Sequence, residues 1–470
     1  MNTSTSTTVS TPVIIPIDTP TLGDRSYLAH DGQVAVVIDP QRDIDRVLAL
    51  ASDAGVRITD VFETHIHNDY VTGGLALAQA TGARYHVNAA DDVAYERSPI
   101  SDDDVVEVSP TMRVRAIATP GHTFTHLSYA LEAAPGDGEA FEPVGVFTGG
   151  SLLFGATGRP DLLGHDHTHD LVHHQFASAH RLAEELPEHT HVLPTHGFGS
   201  FCSAGSTGDT TASTIGDEKR QNPALTRDQE RWVADTLAGL DAYPAYYAHM
   251  APANEAGPSA PDLTAPQTVD KVTLAAHIAA GEWVVDLRTR TAFAAGPVTG
   301  TLNFGLDGQF ATYLGWLIPW GTPLTLLGDS AEQVADAQRE LVRIGIDHLE
   351  GAATGTPDQW TDNPLGSFER AVFADLAQVR HHRPVTVLDV RRASEFDDGH
   401  IDGAVNIPLH ELLSRIGDVP AGEVWVHCAG GYRASIAASV LAARGIPIVA
   451  VDDSFGENAA SSGMPITAAA

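Results

Sequence analysis

A duplication in the C-terminal half constrains this chain more than any other feature. Residues 283–303 read WVVDLRTRTAFAAGPVTGTLN, and residues 386–406 read TVLDVRRASEFDDGHIDGAVN. In both, an apolar strand ends in Asp-aliphatic-Arg, a helix-like segment follows, and Gly-x-x-Asn closes a short turn. Asp286 and Asn303 stand 17 positions apart, as do Asp389 and Asn406. Each copy then offers a second apolar strand, Leu324 to Leu327 and Val424 to His427. The next residue separates them: Gly328 in the first copy, Cys428 in the second. A repeat of this length means one supersecondary unit built twice, and strands alternating with helices make that unit α/β.

The N-terminal half also alternates. Val34 to Asp39 reads as a buried strand, Val47 to Ala54 as a helix and Ile58 to Phe62 as a strand running into Glu63-Thr64-His65. Val114 to Ala118 ends at Pro120-Gly121-His122, Val144 to Phe147 at Thr148-Gly149-Gly150, and His191 to Leu193 at Pro194-Thr195-His196. Strand ends are where α/β proteins assemble their sites. Ala251 to Gln267 (APANEAGPSAPDLTAPQ) reads as a linker. The boundaries that follow are 1–250, 268–355 and 372–468, and 470 residues suit several domains.

Charge and cysteine content narrow the partners. Against 61 Asp and Glu stand 27 Lys and Arg, a net charge of −34, and only Lys219 and Lys271 are lysines. Such a chain repels phosphate backbones and anionic lipid, which argues against nucleic-acid and membrane binding; a solvated acidic surface accounts for the bias. No apolar run reaches the roughly 18 residues of a membrane span, and the Thr/Ser tail Met1 to Ser10 has no basic start. The expected location is the cytoplasm. Two cysteines, Cys202 and Cys428, exclude a disulfide scaffold. A homo-oligomer is compatible with all of this.

The densest chemical signal is Thr64-His65-Ile66-His67-Asn68-Asp69-Tyr70. His-x-His in a turn aims two imidazoles at one cation, and imidazole suits Zn or Fe. Asp69 can serve as a third ligand or as the anchor of a histidine ring. His122 and His196 arrive from two other strand ends.

These residues resemble the metallo-β-lactamase superfamily, whose signature is T-H-x-H-x-D-H, and in particular its branch of persulfide dioxygenases and their rhodanese fusions. Thr119-Pro120-Gly121-His122-Thr123, Phe147-Thr148-Gly149-Gly150, Gly158-Arg159-Pro160-Asp161-Leu162 and Pro194-Thr195-His196-Gly197 extend the match over most of residues 15–205. The resemblance implies an αββα sandwich and the oxidation of a glutathione-type persulfide by O₂ to sulfite at a mononuclear Fe(II). Two residues depart from it. Tyr70 replaces the histidine of a second metal, which disfavours a binuclear hydrolase. Gly150 replaces a metal-ligating Asp: if that ligand is only missing, Gly150→Asp restores a face of two histidines and one carboxylate, and if His67, Asp69 or Asp161 already completes the site, the added Asp helps little or interferes by crowding. What remains is a three-histidine set, His65, His67 and His122, for one metal ion per chain, Fe(II) ahead of Zn(II). Asp69, Asp161 and His196 are further candidates as ligands or as supports for ligands.

Two nearby features have plainer explanations. Gly164 to Asp170 (GHDHTHD), followed by His173-His174, reads as a polar loop with Thr168 or Asp170 capping a helix from Leu171 to Leu186. Cys202, in Gly197-Phe198-Gly199-Ser200-Phe201-Cys202, reads as a structural cysteine, although a glycine-flanked turn beside a metal also suits a thiol that handles persulfide sulfur.

In the last domain, His427-Cys428-Ala429-Gly430-Gly431-Tyr432-Arg433 joins a strand to a helix running from Ser435 to Arg444. Successive loop N–H groups and the helix start favour a thiolate or persulfide anion, and Arg433 adds a permanent forked charge. The segment resembles the rhodanese loop Cys-x-x-Gly-x-Arg. Asp389-Val390-Arg391, Glu395-Phe396 and Gly399 to Pro408 match supporting motifs over about residues 375–450. The resemblance implies Cys428 as nucleophile, Arg433 beside it and Ala429, Gly430, Gly431 and Tyr432 as the substrate loop. The first copy resembles a rhodanese without its nucleophile, with Gly328-Asp329-Ser330 in place of the cysteine loop.

The expected architecture is therefore α/β: an N-terminal αββα metallo-β-lactamase sandwich followed by two α/β rhodanese domains. The expected function is sulfur metabolism, oxidising a low-molecular-weight persulfide at the metal and transferring sulfane sulfur, from thiosulfate or a persulfide, through Cys428. Glutathione or another low-molecular-weight thiol would be the carrier. The alternatives are a sulfurtransferase with a catalytically dead first domain, or a metal-dependent thioester hydrolase.

Overall fold

In the N-terminal part, strict alternation of side chains along the strands builds three apolar layers. A computed structural model describes residues 11–134, 139–205 and 210–468; the Met1 to Ser10 tail lies outside these. The chain divides into two units, one of residues 1–261 with 342–345, the other of 262–341 with 346–470.

The first unit holds two six-stranded sheets, each built in chain order. One comprises β1 (Val13–Thr19), β2 (Asp24–His30), β3 (Val34–Ile38), β4 (Arg57–Phe62), β5 (Arg84–Asn88) and β6 (Ser98–Ile100). The other comprises β7 (Val105–Ser109), β8 (Met112–Ala118), β9 (Leu127–Ala133), β10 (Glu142–Gly149), β11 (His191–Pro194) and β12 (Ser213–Thr214). Tyr27, Val36, Ile38 and Phe62 point inward and pack on Met112, Val114, Tyr129 and Phe147 of the facing sheet. Their neighbours Leu28, Val37 and Val61 point outward, against Val47, Ala51, Leu77 and Ala78. Those four lie on the helices Asp45–Ala54 and Gly74–Thr81. The outer face of the second sheet packs on the helix His165–Glu185 through Val172, Ala179 and Leu182. The layers run helix, sheet, sheet, helix, the αββα sandwich expected. With both its faces covered, β9 is buried along its whole length.

The second unit contains the duplication. β13 (Trp283–Asp286), β14 (Leu302–Asn303), β15 (Leu324–Gly328) and β16 (Gly351–Thr354) form a parallel sheet in the order β14-β13-β15-β16. In the second copy, β17 (Glu369–Ala371), β18 (Thr386–Asp389), β19 (His400–Ile401), β20 (Val405–Asn406), β21 (Val424–His427), β22 (Ile448–Val451) and β23 (Ile466–Thr467) follow. There the main sheet is β17-β22-β21-β18-β20, and β19 pairs with β23. Register repeats as well as sequence: Asp286 pairs with Asn303, and Asp389 with Asn406.

The repeated residues make a repeated clasp. Arg391 places Nη2 2.6 Å from Asp389 Oδ2 and reaches the Gly399 carbonyl; Arg288 does the same to Asp286 and Gly296. Asn406 donates to the carbonyls of Asp389 and Arg391, and Asn303 to those of Asp286 and Arg288. This is why the motif survives in both copies: each residue satisfies a buried partner of another.

Three boundaries differ from the sequence reading. The helix expected from Leu171 starts at His165, because the exposed His165, Asp166, His167, His169 and Asp170 continue its solvent face while Thr168 turns inward. Ala251–Ala256, assigned to the linker, completes the helix Tyr247–Ala256. The helix after the cysteine loop begins at Tyr432. No helix among the described residues is long and apolar enough to cross a membrane.

Replacing Asp389 by Ala strips a buried guanidinium of its carboxylate. We expect a loss of about 3–5 kcal/mol in urea denaturation of the full chain, and a similar loss for Asp286→Ala. An unchanged midpoint in both would show that the clasp does not stabilise its own copy.

Candidate functional site

Three strand ends deliver four histidines to one buried point. β4 runs into His65 and His67, β8 into His122, and β11 into His196. Ring centroids lie 4.1 Å apart for His65–His67, 4.8 Å for His65–His122 and 5.2 Å for His122–His196. All four side chains are buried.

Each ring is held by its outer nitrogen. Nδ1 of His65 is 2.9 Å from the Thr64 hydroxyl, and Nδ1 of His122 donates to the Arg159 carbonyl at 2.8 Å. Nε2 of His67 meets the Tyr70 hydroxyl at 3.0 Å and both Asp39 and Glu63 at 3.2 Å. Nδ1 of His196 lies 3.0 Å from Asp24 and 3.2 Å from Asp69. The inner nitrogens are the ones without a good partner. Nδ1 of His67 and Nε2 of His122 are buried and unbonded, and the Nε2 atoms of His65 and His196 face each other at 3.5 Å. Imidazoles anchored on one nitrogen and open on the other are arranged as metal ligands are. Ligand atoms of His65, His67 and His196 lie within 4.8 Å of one another, as do those of His122, His196 and Cys202. The residues present fit a metal ion.

Electrostatics agree. Burial holds the His65 imidazole well below its usual value and His122 down to about 3, so both are neutral, the form that ligates. Burial also opposes charge on His67, but the Asp39 and Glu63 carboxylates outweigh it and push it up to about 10. A cation arriving there displaces a proton.

Several residues of the site carried no sequence signal. Asp39, at a positive φ of 50°, accepts from the Thr64 N–H at 2.7 Å, the Thr64 hydroxyl at 2.8 Å and the Thr195 hydroxyl. Glu63 accepts from Thr72 and from Tyr85 at 3.0 Å. Asp24 opens β2 beside Asp69; burial, then the Asp69 charge, raises its carboxyl to about 7. Asp69 stays low because the His196 charge outweighs burial. His126 Nε2 accepts from the Gly150 N–H at 3.1 Å. Asp161 reaches the site only through Arg159, which grips it with a fork of 2.6 and 2.8 Å. Among the described residues, none of the histidines from His165 to His174 joins a metal-compatible group.

At Gly150 the packing favours crowding over restoration. A Cβ there would overlap the His122 ring, and the Gly150 carbonyl is fully engaged by the Gly158 N–H at 2.8 Å and by Gln175 at 3.3 Å. The position is filled by a ligand ring, so an added Asp cannot simply complete the face.

In the second unit, Cys428 is buried at the end of β21, and its Sγ accepts from the Gly431 N–H at 3.1 Å. Gly431 adopts φ 92° to turn the chain into the helix Tyr432–Ala442. Ala429 and Gly430 are exposed. Arg433 is clamped by Glu395 at 2.6 and 2.8 Å, which holds the Glu395 carboxyl down at about 2 in spite of burial. Tyr432 donates to the Gly305 carbonyl of the first copy at 2.7 Å, and its ring sits 5.9 Å from Tyr313. The first copy thus supports the cysteine loop.

Comparison with known proteins agrees with this fold. Residues 22–181 match the model of the metallo-beta-lactamase superfamily, and residues 373–457 that of the rhodanese-like domain. The chain carries a metallo-beta-lactamase domain followed by a rhodanese-like domain. A metallo-beta-lactamase from Staphylococcus aureus subsp. aureus COL overlays on 74% of the chain and 100% of its own, with a TM-score of 0.65 and 27% identity. ETHE1 from Myxococcus xanthus overlays on 52% of the chain and 98% of its own, with a TM-score of 0.43 and 27% identity. A hydroxyacylglutathione hydrolase from Polaromonas sp. is 30% identical over 166 residues, 35% of the chain and 57% of that relative's length; the chain spans little more than half of it.

Two substitutions probe the metallo-beta-lactamase domain. Asp39→Asn removes the charge that orients His67 and should weaken metal binding about 10–100-fold, read by competition with a chelating dye. Gly150→Asp should lower both metal content and thermal stability, by about 1–3 kcal/mol for an overpacked core site. A gain in metal content would reverse this reading of Gly150.

Proposed function

We propose that this protein is a cytoplasmic enzyme of sulfur metabolism that oxidises a low-molecular-weight persulfide and moves sulfane sulfur through Cys428. The observation that carries the reading is the Cys428 thiol, buried at the head of a helix with the Gly431 N–H directed at it 3.1 Å away. An anion on that sulfur, thiolate or persulfide, is stabilised by the loop. In the transfer step the Cys428 thiolate attacks the outer sulfur of thiosulfate, the S–S bond breaks and sulfite leaves, so that Cys-S⁻ and S-SO₃²⁻ give Cys-S-S⁻ and SO₃²⁻. A thiol such as glutathione then takes the outer sulfur as its own persulfide and regenerates Cys428. Arg433, positioned by Glu395, and the exposed Ala429 and Gly430 would meet the substrate.

That persulfide is the substrate we assign to the metallo-beta-lactamase domain, in the balanced reaction RSSH + O₂ + H₂O → RSH + SO₃²⁻ + 2H⁺. His65, His67 and His122, with His196 and Asp69 beside them, would hold one ion, Fe(II) ahead of Zn(II). When bound, the ion supplies the Lewis acidity and redox capacity that persulfide oxidation requires. The protein's own part is to orient the imidazoles, keep His65 and His122 neutral and exclude bulk water. A second reading, thioester hydrolysis, draws support from the likeness to a hydroxyacylglutathione hydrolase. Tyr70, whose hydroxyl is turned to His67, speaks against its two-metal form.

Oxygen uptake with glutathione persulfide, run beside metal analysis, separates the readings. We expect one ion per chain and uptake that disappears in His122→Ala together with most of the metal. Two equivalents of metal with thioester turnover and no uptake would favour the hydrolase. In parallel, Cys428→Ser should reduce thiosulfate sulfurtransferase activity to background with the fold intact, since a serine cannot carry sulfane sulfur.

A further inference from the structure

We propose that Cys202 is a metal ligand, supplying through its thiolate the anionic donor that Gly150 leaves absent. This deepens the metal reading above and rests on it. Sγ of Cys202 and ring nitrogens of His122 and His196 lie within 4.8 Å of one another. Nε2 of His122, one of that trio, is buried and unbonded, so an acceptor aimed into the same space stands ready. Position 150 cannot supply the negative charge, because the volume its side chain would need is occupied by the His122 ring itself. Cys202 arrives instead from the loop after β11, and the backbone fastens that loop to the site. Its carbonyl accepts from the Arg159 N–H at 2.8 Å, and the Arg159 carbonyl in turn holds His122 Nδ1 at 2.8 Å. Among the described residues, the sulfur's one side-chain hydrogen-bond partner is the Tyr247 hydroxyl, at a long 3.8 Å.

Donors about 2.0–2.3 Å from a shared ion would stand roughly 3.4–3.7 Å apart, so a trio already within 4.8 Å would need to close by no more than about 1.4 Å. Binding breaks the S–H bond: the sulfur keeps the electron pair and donates it to the ion, and the proton leaves to solvent. No oxidant or reductant is involved. A thiolate in the coordination sphere also favours softer metals.

The test uses Co(II) alone as probe on the full chain. The chain has two cysteines, so Cys428→Ser leaves Cys202 as its sole thiol while the metallo-beta-lactamase domain is untouched. Titrating that variant with Co(II) should raise a thiolate-to-cobalt charge-transfer band in the near ultraviolet, saturating at one equivalent. The same titration of the variant Cys202→Ser, or Cys202→Ala, should show Co(II) bound without the band and one proton fewer released. Co(II) bound by Cys428→Ser with no such band overturns the assignment of Cys202 and leaves the metal reading standing. No Co(II) bound at all overturns both. A band in Cys202→Ser would trace the sulfur to Cys428 and also overturn the proposal.

Discussion

One buried carboxylate ties the histidine-bearing end of the first unit together. Asp39 ends β3, accepts hydrogen bonds from Thr64 after β4 and from Thr195 after β11, and lies 3.2 Å from His67. β3 and β4 belong to one sheet and β11 to the other, so this side chain joins the two sheets at the point where their histidines meet. Burying a carboxylate without partners would be costly. Here the cost is offset by its donors and by the His67 charge, which together hold the carboxyl low in spite of burial. The positive φ of Asp39 is the local strain that aims it.

The two copies in the second unit show which parts of a motif are structural and which are chemical. The Asp–Arg–Asn clasp is the same in both, bond for bond, because each group satisfies another that is buried. The loop after the next strand is free to diverge, since nothing in the clasp depends on it. In one copy it carries Cys428 under the Gly431 N–H. In the other β15 ends at Gly328, and the Asp329 N–H is taken by Gln333 at 2.7 Å. The copy without the cysteine still serves the other, through Gly305 and Tyr313 beside Tyr432 and through Arg290, paired with Asp452 at 2.8 Å.

Much of the fold was legible because its signals are local. The unbroken apolar run Val34–Ile38 marks a strand buried on both faces, and His-x-His next to a strand end marks a candidate site. The helix over His165–Glu185 was harder to place, since its first turn is polar all round and its apolar stripe begins only at Leu171. Asp24, Asp39 and Glu63 were silent for a different reason: each is an ordinary acidic residue whose role comes from partners far away in the chain, such as Asp24 with His196.

By itself, then, the sequence determined the layers, the duplication and the places of the histidine and cysteine motifs at strand ends, because periodicity and short motifs act over a few positions. Tertiary structure alone decided which nitrogen of each histidine is anchored and which is open. It also decided that position 150 is occupied by the His122 ring, and that the Cys202 sulfur lies with His122 and His196. Those facts depend on how strand ends from two sheets pack in three dimensions, and no local pattern encodes that packing.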